Sequence, residues 1–272
     1  MASRKTTPAS GGSAKNQKNL VTTNTGALPA DMSKMFEGDS GGGFEDADRS
    51  SYAIPFLRQL QILSPQLKRN DEAYIDGAEE GDFFNTVTEK VYPGEKGILF
   101  IPCYFHRVFN LWAPNRGGFR GSVDVIEGEA KLRTTTRNDK NQDVLPDGNI
   151  IQDTREHYGM ILEDDGTVTP VLFAMASSQL KHSKKWMTRM QEVKLPNGKP
   201  APMFAQVYRL ISITESKDND TWAGVKPTFE GFVTSLELYN AAKLFRDQIR
   251  SGEIKVSESI DPEGENSDGV PF

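Results

Sequence analysis

The chain has almost no cysteine. Cys103 stands alone among 272 residues, so an intrachain disulfide is excluded, and its place in an apolar run marks it as a small core residue rather than a nucleophile. No apolar stretch approaches the ~20 residues that span a bilayer. The basic start, Met1-Ala2-Ser3-Arg4-Lys5, has no apolar run behind it and does not read as a secretory signal; a cytoplasmic protein is expected. Histidine is scarce too. His106, His157 and His182 make no zinc pattern without further cysteines. The glycine-rich phosphate loops, the H-E-x-x-H helix and the G-x-S-x-G elbow are missing, so no enzyme, cofactor or metal is expected.

The formal net charge is −6, which argues at first against a nucleic-acid binder. Its distribution changes that. From Gly252 to Phe272 there are six acids (Glu253, Glu258, Asp261, Glu263, Glu265, Asp268) against Lys255, so −5 of the total lies there and only −1 in residues 1–251. A near-neutral body can carry a basic groove, because phosphates respond to local charge.

With 36% hydrophobic residues, 24 Gly and 15 Pro, the composition suits a globular core with generous loops and ends. Residues 1–50 are rich in Ser, Thr, Gly, Asn and Lys, and Gly41-Gly42-Gly43 reads as part of a linker; this is a disordered basic, Gly-rich arm. The body is expected over residues 51–250, and a disordered acidic tail over 251–272. Within the body, 82–88 and 97–112 read as strands, the second being the strongest strand signal, with Pro102 implying an edge or a break. Residues 113–150 are polar and turn-rich. Segments 158–162 and 168–175 flank a hairpin turn, and a helix is expected over about 177–192. Two more strands follow (203–214 and 222–233), then an amphipathic helix carrying Leu238, Ala241, Ala242, Phe245 and Ile249. The pattern predicts an α+β, β-rich fold: an antiparallel OB-like barrel or sheet with an inserted helix and a C-terminal helix, flanked by disordered ends.

Two surfaces are candidates for single-stranded nucleic acid. In an extended strand, Tyr104, His106, Val108, Asn110 and Trp112 share one face, and Phe105, Arg107, Phe109 and Leu111 the other, more core-like one. Rings offer flat faces to bases while cations hold phosphates. Arg107 lies on the second face, and Arg116, Phe119 and Arg120 follow in a Gly-rich loop that can close over a strand. The plainer alternative is half-buried core with polar tips outward. The second surface is the helix. Lys181, Lys185 and Arg189 fall at i, i+4 and i+8, Lys184 lies beside them, and Trp186 is a stacking candidate that can instead turn inward. A merely solvated basic face remains the alternative. Glu163, Asp164 and Asp165 read as turn formers rather than as a metal or acid/base site.

The C-terminus carries the sharpest signal. An acidic stretch that cannot collapse ends in Asp268-Gly269-Val270-Pro271-Phe272. Phe272 joins an aromatic ring to the terminal carboxylate, a pair suited to an apolar pocket rimmed by Arg or Lys. An ordinary frayed terminus is the alternative. This tail resembles the tip of bacterial single-stranded-DNA-binding proteins: Asp268, Val270, Pro271 and Phe272 match it, and Gly269 stands where an acid would be. The match covers about the last ten residues. The body is similar in general character to replication proteins of tailed bacteriophages. The resemblance implies a protein that coats and protects single-stranded DNA during replication, recombination and repair, and that recruits partner proteins through Asp268, Val270, Pro271 and Phe272. It would act in the cytoplasm of a bacterial host, and the resemblance leaves open whether it forms a homo-oligomer. The competing expectation is a phage structural or accessory protein that binds no nucleic acid.

Overall fold

A computed structural model describes residues 30–47, 53–114, 117–218 and 220–254. The chain divides into two units, Met1–Asp48 and Arg49–Phe272. In the first, helix α1 (Ala30–Gly38) occupies part of the arm expected to be disordered. Met32, Met35 and Phe36, at i, i+3 and i+4, give it an apolar face, and all three are exposed. That spacing is the signal the low-complexity reading overlooked.

The second unit is α+β and mostly β. Strands β1 (Leu57–Gln59), β2 (Phe83–Asn85) and β3 (Val91–Tyr92) form a small antiparallel sheet. The larger sheet contains β4 (Ile98–Trp112), β5 (Phe119–Val123), β6 (Thr136–Arg137), β7 (Asp143–Val144), β8 (Ile150–Leu162), β9 (Val168–Ala176), β10 (Gln206–Lys217) and β11 (Asp220–Phe232). Its described helices are α2 (Val125–Leu132), α3 (Leu180–Glu192) and α4 (Leu236–Ser251). The inserted and C-terminal helices fall where helical spacing put them. Helix α2 and strands β5 to β7 lie in the stretch expected to be turns. The signal for α2 is Asp124, whose carboxylate accepts from the Glu127 amide as an N-cap.

Strands β4 and β8 are the spine, paired antiparallel from Leu99↔Leu162 to Trp112↔Ile150. Their neighbours differ at the two ends. Near Ile98 to Phe100, β10 flanks β4 and β9 flanks β8; near Phe109 to Trp112, β5 flanks β4 and β7 flanks β8. Pro102 does not end β4; it stands where β4 is locally an edge, paired with β8 alone. The β10 ladder stops at Phe100, so a missing N–H at Pro102 costs no bond on that side, and a bulge between Pro102 and Tyr104 absorbs the misfit.

Each face of the spine is covered. On one, Trp186 and Met190 of α3 pack into a core with Phe83, Phe100, Phe173 and Tyr208. On the other, Ala242 and Phe245 of α4 cover Ile101, Cys103, Tyr158 and Met160. Burying each large side chain contributes ~1.5–3 kcal/mol. At the β5 end, Phe109, Leu145 and Ile151 form a third cluster, and Gly128 of α2 lies so close to Phe109 that a Cβ would come within 2.1 Å of its ring.

Of the barrel or sheet expected from the sequence, the structure has the antiparallel sheet and no closed barrel. A parallel bridge, Phe56↔Leu172, carries β9 to the β1 segment, but β1 has three residues and forms no ladder with β11. Side chains span the gap instead. Gln59 Nε2 donates to Gly224 O (2.8 Å) and Ser212 Oγ (2.9 Å), and Gln61 exchanges two 3.0 Å bonds with the Ala223 backbone. The result is an open sheet clasped by two glutamines.

Candidate nucleic-acid interface

Helix α3 sorts its residues sharply. Ser183, Trp186 and Met190 are buried, while Lys181, Lys184, Lys185 and Arg189 are exposed. Trp186 is 1% exposed; its ring stacks on His157 (4.6 Å between centroids), meets Tyr208 edge-on at 5.6 Å and tilts against Phe100 at 5.8 Å. It cannot stack on a base, which corrects the sequence expectation: Trp186 anchors the helix that displays the cations. Beneath it, His157 Nε2 sits 2.8 Å from Ser183 Oγ. Burial, helped by the Arg155 charge, pushes the His157 pKa down to about 3, so the ring is neutral.

The four cations of α3 differ in freedom. Lys181 Nζ is 2.7 Å from Glu215 Oε1, and 5.8 Å from the centre of the Trp222 ring. Glu215 is also approached by His182 Nε2 at 3.0 Å and accepts from Trp222 Nε1 at 3.0 Å. Burial works to raise the Glu215 pKa, but these contacts outweigh it and hold the carboxylate ionised. Arg189 reaches the Pro227 carbonyl on β11 at 3.5 Å. Lys184 and Lys185 have no described carboxylate within ion-pair distance.

The Tyr104 face of β4 lies on the side of the spine opposite α3, while Arg107 shares the Phe105 face. Phe105 packs against His157 at 5.1 Å, on the α3 side, so the Tyr104 set faces the other way, and Tyr104 packs into the α4 core. The Tyr104 face and the α3 stripe therefore do not meet. His106 is exposed, with Nδ1 3.5 Å from Glu156, which raises its pKa. Arg107 is tied down: Nη2 is 2.8 Å from Asp153 and Nη1 2.7 Å from Glu129. Asp153 also holds Arg155, at 3.1 Å. Trp112 and Phe119 are half-buried and meet edge-on at 5.4 Å; Arg120 is exposed. Val108, placed with the surface set, is buried. Arg116 and the tail residues Asp268, Val270, Pro271 and Phe272 lie outside the described residues.

Two residues were not singled out from the sequence, although they sit beside α3. Phe229 and Phe232 are 41% and 43% exposed, with rings 5.5 Å apart. Three residues apart on a regular strand, they would face opposite sides. The β10–β11 register shifts here, from Tyr208↔Phe229 to Val207↔Gly231, and the extra residue turns both rings to one side. Only strand pairing reveals that bulge.

The acids of the β8–β9 turn are engaged. Glu163 accepts from Lys90 (2.5 Å), Tyr92 (2.8 Å) and Thr169 (2.7 Å), Asp164 pairs with Lys96 (3.0 Å), and Asp165 caps Thr167. Among the described residues no group of three or more His, Cys, Asp or Glu side chains is placed to hold a metal. Cys103 is buried, which raises its thiol pKa. No described helix is long and apolar enough to cross a membrane.

No curated protein and no solved structure matches the chain. A family model described as Pam3 phage gp34-like protein matches residues 22–255, which takes in α1 and the whole described body and stops short of the C-terminal tip. The chain belongs to the Pam3 phage gp34-like protein family.

Proposed function

We propose that this protein is a phage single-stranded-DNA-binding protein that holds the strand along α3 and recruits replication and recombination proteins through its acidic tail, in the cytoplasm of the bacterial host. One observation carries the reading. Lys184 and Lys185 stand exposed and without a described counter-charge on a helix whose inner face is fixed in the core by Trp186 and Met190. Fixed, unneutralised cations are what phosphates bind; cations already paired with carboxylates release fewer counterions on binding. Lys181 and Arg189 extend the stripe at both ends. For the tail, the support is its sequence: six acids against one base in residues 252–272, then Val270-Pro271-Phe272.

The test is binding of fluorescent oligo-dT and of the matching duplex across a salt series. Micromolar or tighter binding to dT, weak duplex binding and a steep salt slope are expected. Lys184→Glu with Lys185→Glu should weaken dT binding at least tenfold and lower the slope by roughly 1.4, at about 0.7 per lost phosphate contact. Deleting residues 261–272 should leave dT binding intact or stronger and remove partner recruitment. No binding to single strands at low salt overturns the reading and moves the structural or accessory role to first place.

A further inference from the structure

Trp186 cannot meet a base, yet its ring begins a run of aromatic side chains that reaches the surface. Trp186 meets Tyr208 edge-on at 5.6 Å, Tyr208 meets Phe229 at 5.5 Å, and Phe229 meets Phe232 at 5.5 Å. The first two rings are buried and the last two exposed. Arg189, one helical turn beyond Lys185, touches Pro227 O, two residues before Phe229 on the same strand. Cations and exposed rings are thus consecutive: Lys185, Arg189, Phe229, Phe232.

We infer that Phe229 and Phe232 are the base-stacking residues of this interface, taking two bases of a single strand whose phosphates lie on Lys184, Lys185 and Arg189. The inference rests on the nucleic-acid reading above. Each ring is packed edge-on against another aromatic residue, so its position is set before a base arrives and little side-chain entropy is lost on stacking. The bulge at Gly231 is what holds the pair on one side; a regular strand would bury one ring or point it away. Charge favours nucleic acid over an apolar protein surface as the occupant. The acid between the rings, Glu230, is neutralised by Arg209 at 3.1 Å, which leaves Lys184, Lys185 and Arg189 to set the local sign against Glu192 at the end of α3. Duplex bases are stacked on one another and cannot reach the rings, so the same feature discriminates single strands from duplex.

The experiment compares oligo-dT with an oligomer of the same length made of abasic sites, which keeps the phosphates and lacks bases. Wild-type protein should bind dT more tightly than the abasic oligomer. Phe229→Leu with Phe232→Leu keeps apolar bulk; it should lose about tenfold or more on dT, with abasic binding, salt slope and thermal midpoint within error of wild type. Lys184→Glu with Lys185→Glu should lose binding to both. If the leucine variant binds dT like wild type while the glutamate variant does not, the phosphate interface stands and the stacking inference falls, leaving the rings as a protein-contact surface. If the leucine variant loses dT and abasic binding equally, the rings act structurally and the inference also falls. If wild-type protein binds neither oligomer, the nucleic-acid reading itself is overturned.

Discussion

Helix α3 and strand β4 received similar residue types and treat them in opposite ways. On helix α3 four cations project outward, and three of them, Lys184, Lys185 and Arg189, meet no described carboxylate. On β4, the arginine and histidine beside the aromatic residues are each matched by an acid from β8: Arg107 by Asp153, His106 by Glu156. The same contrast divides the tryptophans. Trp186 is core and Trp112 half-buried, although both sit among cations in the sequence. A cation near an aromatic residue is therefore not yet a binding site. What decides is whether a partner 46 residues away in sequence has already neutralised it, as Asp153 has for Arg107.

The largest effect expected from that contrast concerns the tryptophans. Trp186→Ala removes a side chain packed against Phe100, His157 and Tyr208 and should cost ~3–5 kcal/mol by urea denaturation. It should also misplace α3 and weaken DNA binding. Trp112→Ala should cost clearly less. Equal losses at the two sites would show that helix and strand are built alike.

Acid should come next, acting through His157. Its folded pKa is held near 3 by burial, while an unfolded histidine titrates near 6.5. Between those values the unfolded chain binds the extra proton, so this contribution to stability is whole above pH 6.5 and shrinks as pH falls toward 3. At ~1.4 kcal/mol per pH unit, the loss amounts to a few kcal/mol. Denaturation from pH 7 to 4 should show it. His157→Phe with Ser183→Ala, which removes both ends of the buried bond, should flatten that slope; an unchanged slope would assign acid lability to carboxylates elsewhere.

Much of the fold follows from local patterning, and the site follows less. Helices α3 and α4, the β8–β9 hairpin and the β10–β11 pair are each written in contiguous residues with clear period or turn signals. Helix α2 was missed because Gly128 lowers helix propensity, yet that glycine is required by the Phe109 ring above it. Local pattern left barrel and sheet both open because closure is a long-range matter: Gln59 meets a strand 165 residues on. At the site, helical period alone found the cationic stripe. Which cations were free, that Trp186 faced inward, and that a bulge paired Phe229 with Phe232 all depend on strand register, which no local pattern states.

Converting the paired strand into the unpaired kind should have a smaller effect. Asp153→Asn removes the carboxylate shared by Arg107 and Arg155. Burial tends to raise the Asp153 pKa, but the two arginines overcome it and hold the acid ionised. The amide should cost ~1–3 kcal/mol, because Arg155 loses its carboxylate and Arg107 keeps only Glu129. It should also raise affinity for oligo-dT by about two- to threefold, since freed cations attract phosphates. No gain in affinity would mean that pairing is not what silences this strand.

The smallest effect belongs to His106 and reverses the sign of His157. Hydrogen bonding to Glu156 raises its pKa, burial works against that, and the charge of Glu156 adds to it. The folded state therefore holds the proton more tightly than the unfolded chain. Its contribution is present below about pH 6.5 and disappears as pH rises through the folded pKa. The ring is half exposed, so solvent screens the pair and the worth is at most a few tenths of a kcal/mol, below what denaturation resolves. NMR titration of the ring protons resolves it. The His106 midpoint should lie above that of a model peptide and fall in Glu156→Gln, while the neutral His157 ring shows no titration across the same range. A His106 midpoint unmoved by Glu156→Gln would leave this cation free, and the β4 surface would then regain its claim as a second phosphate contact.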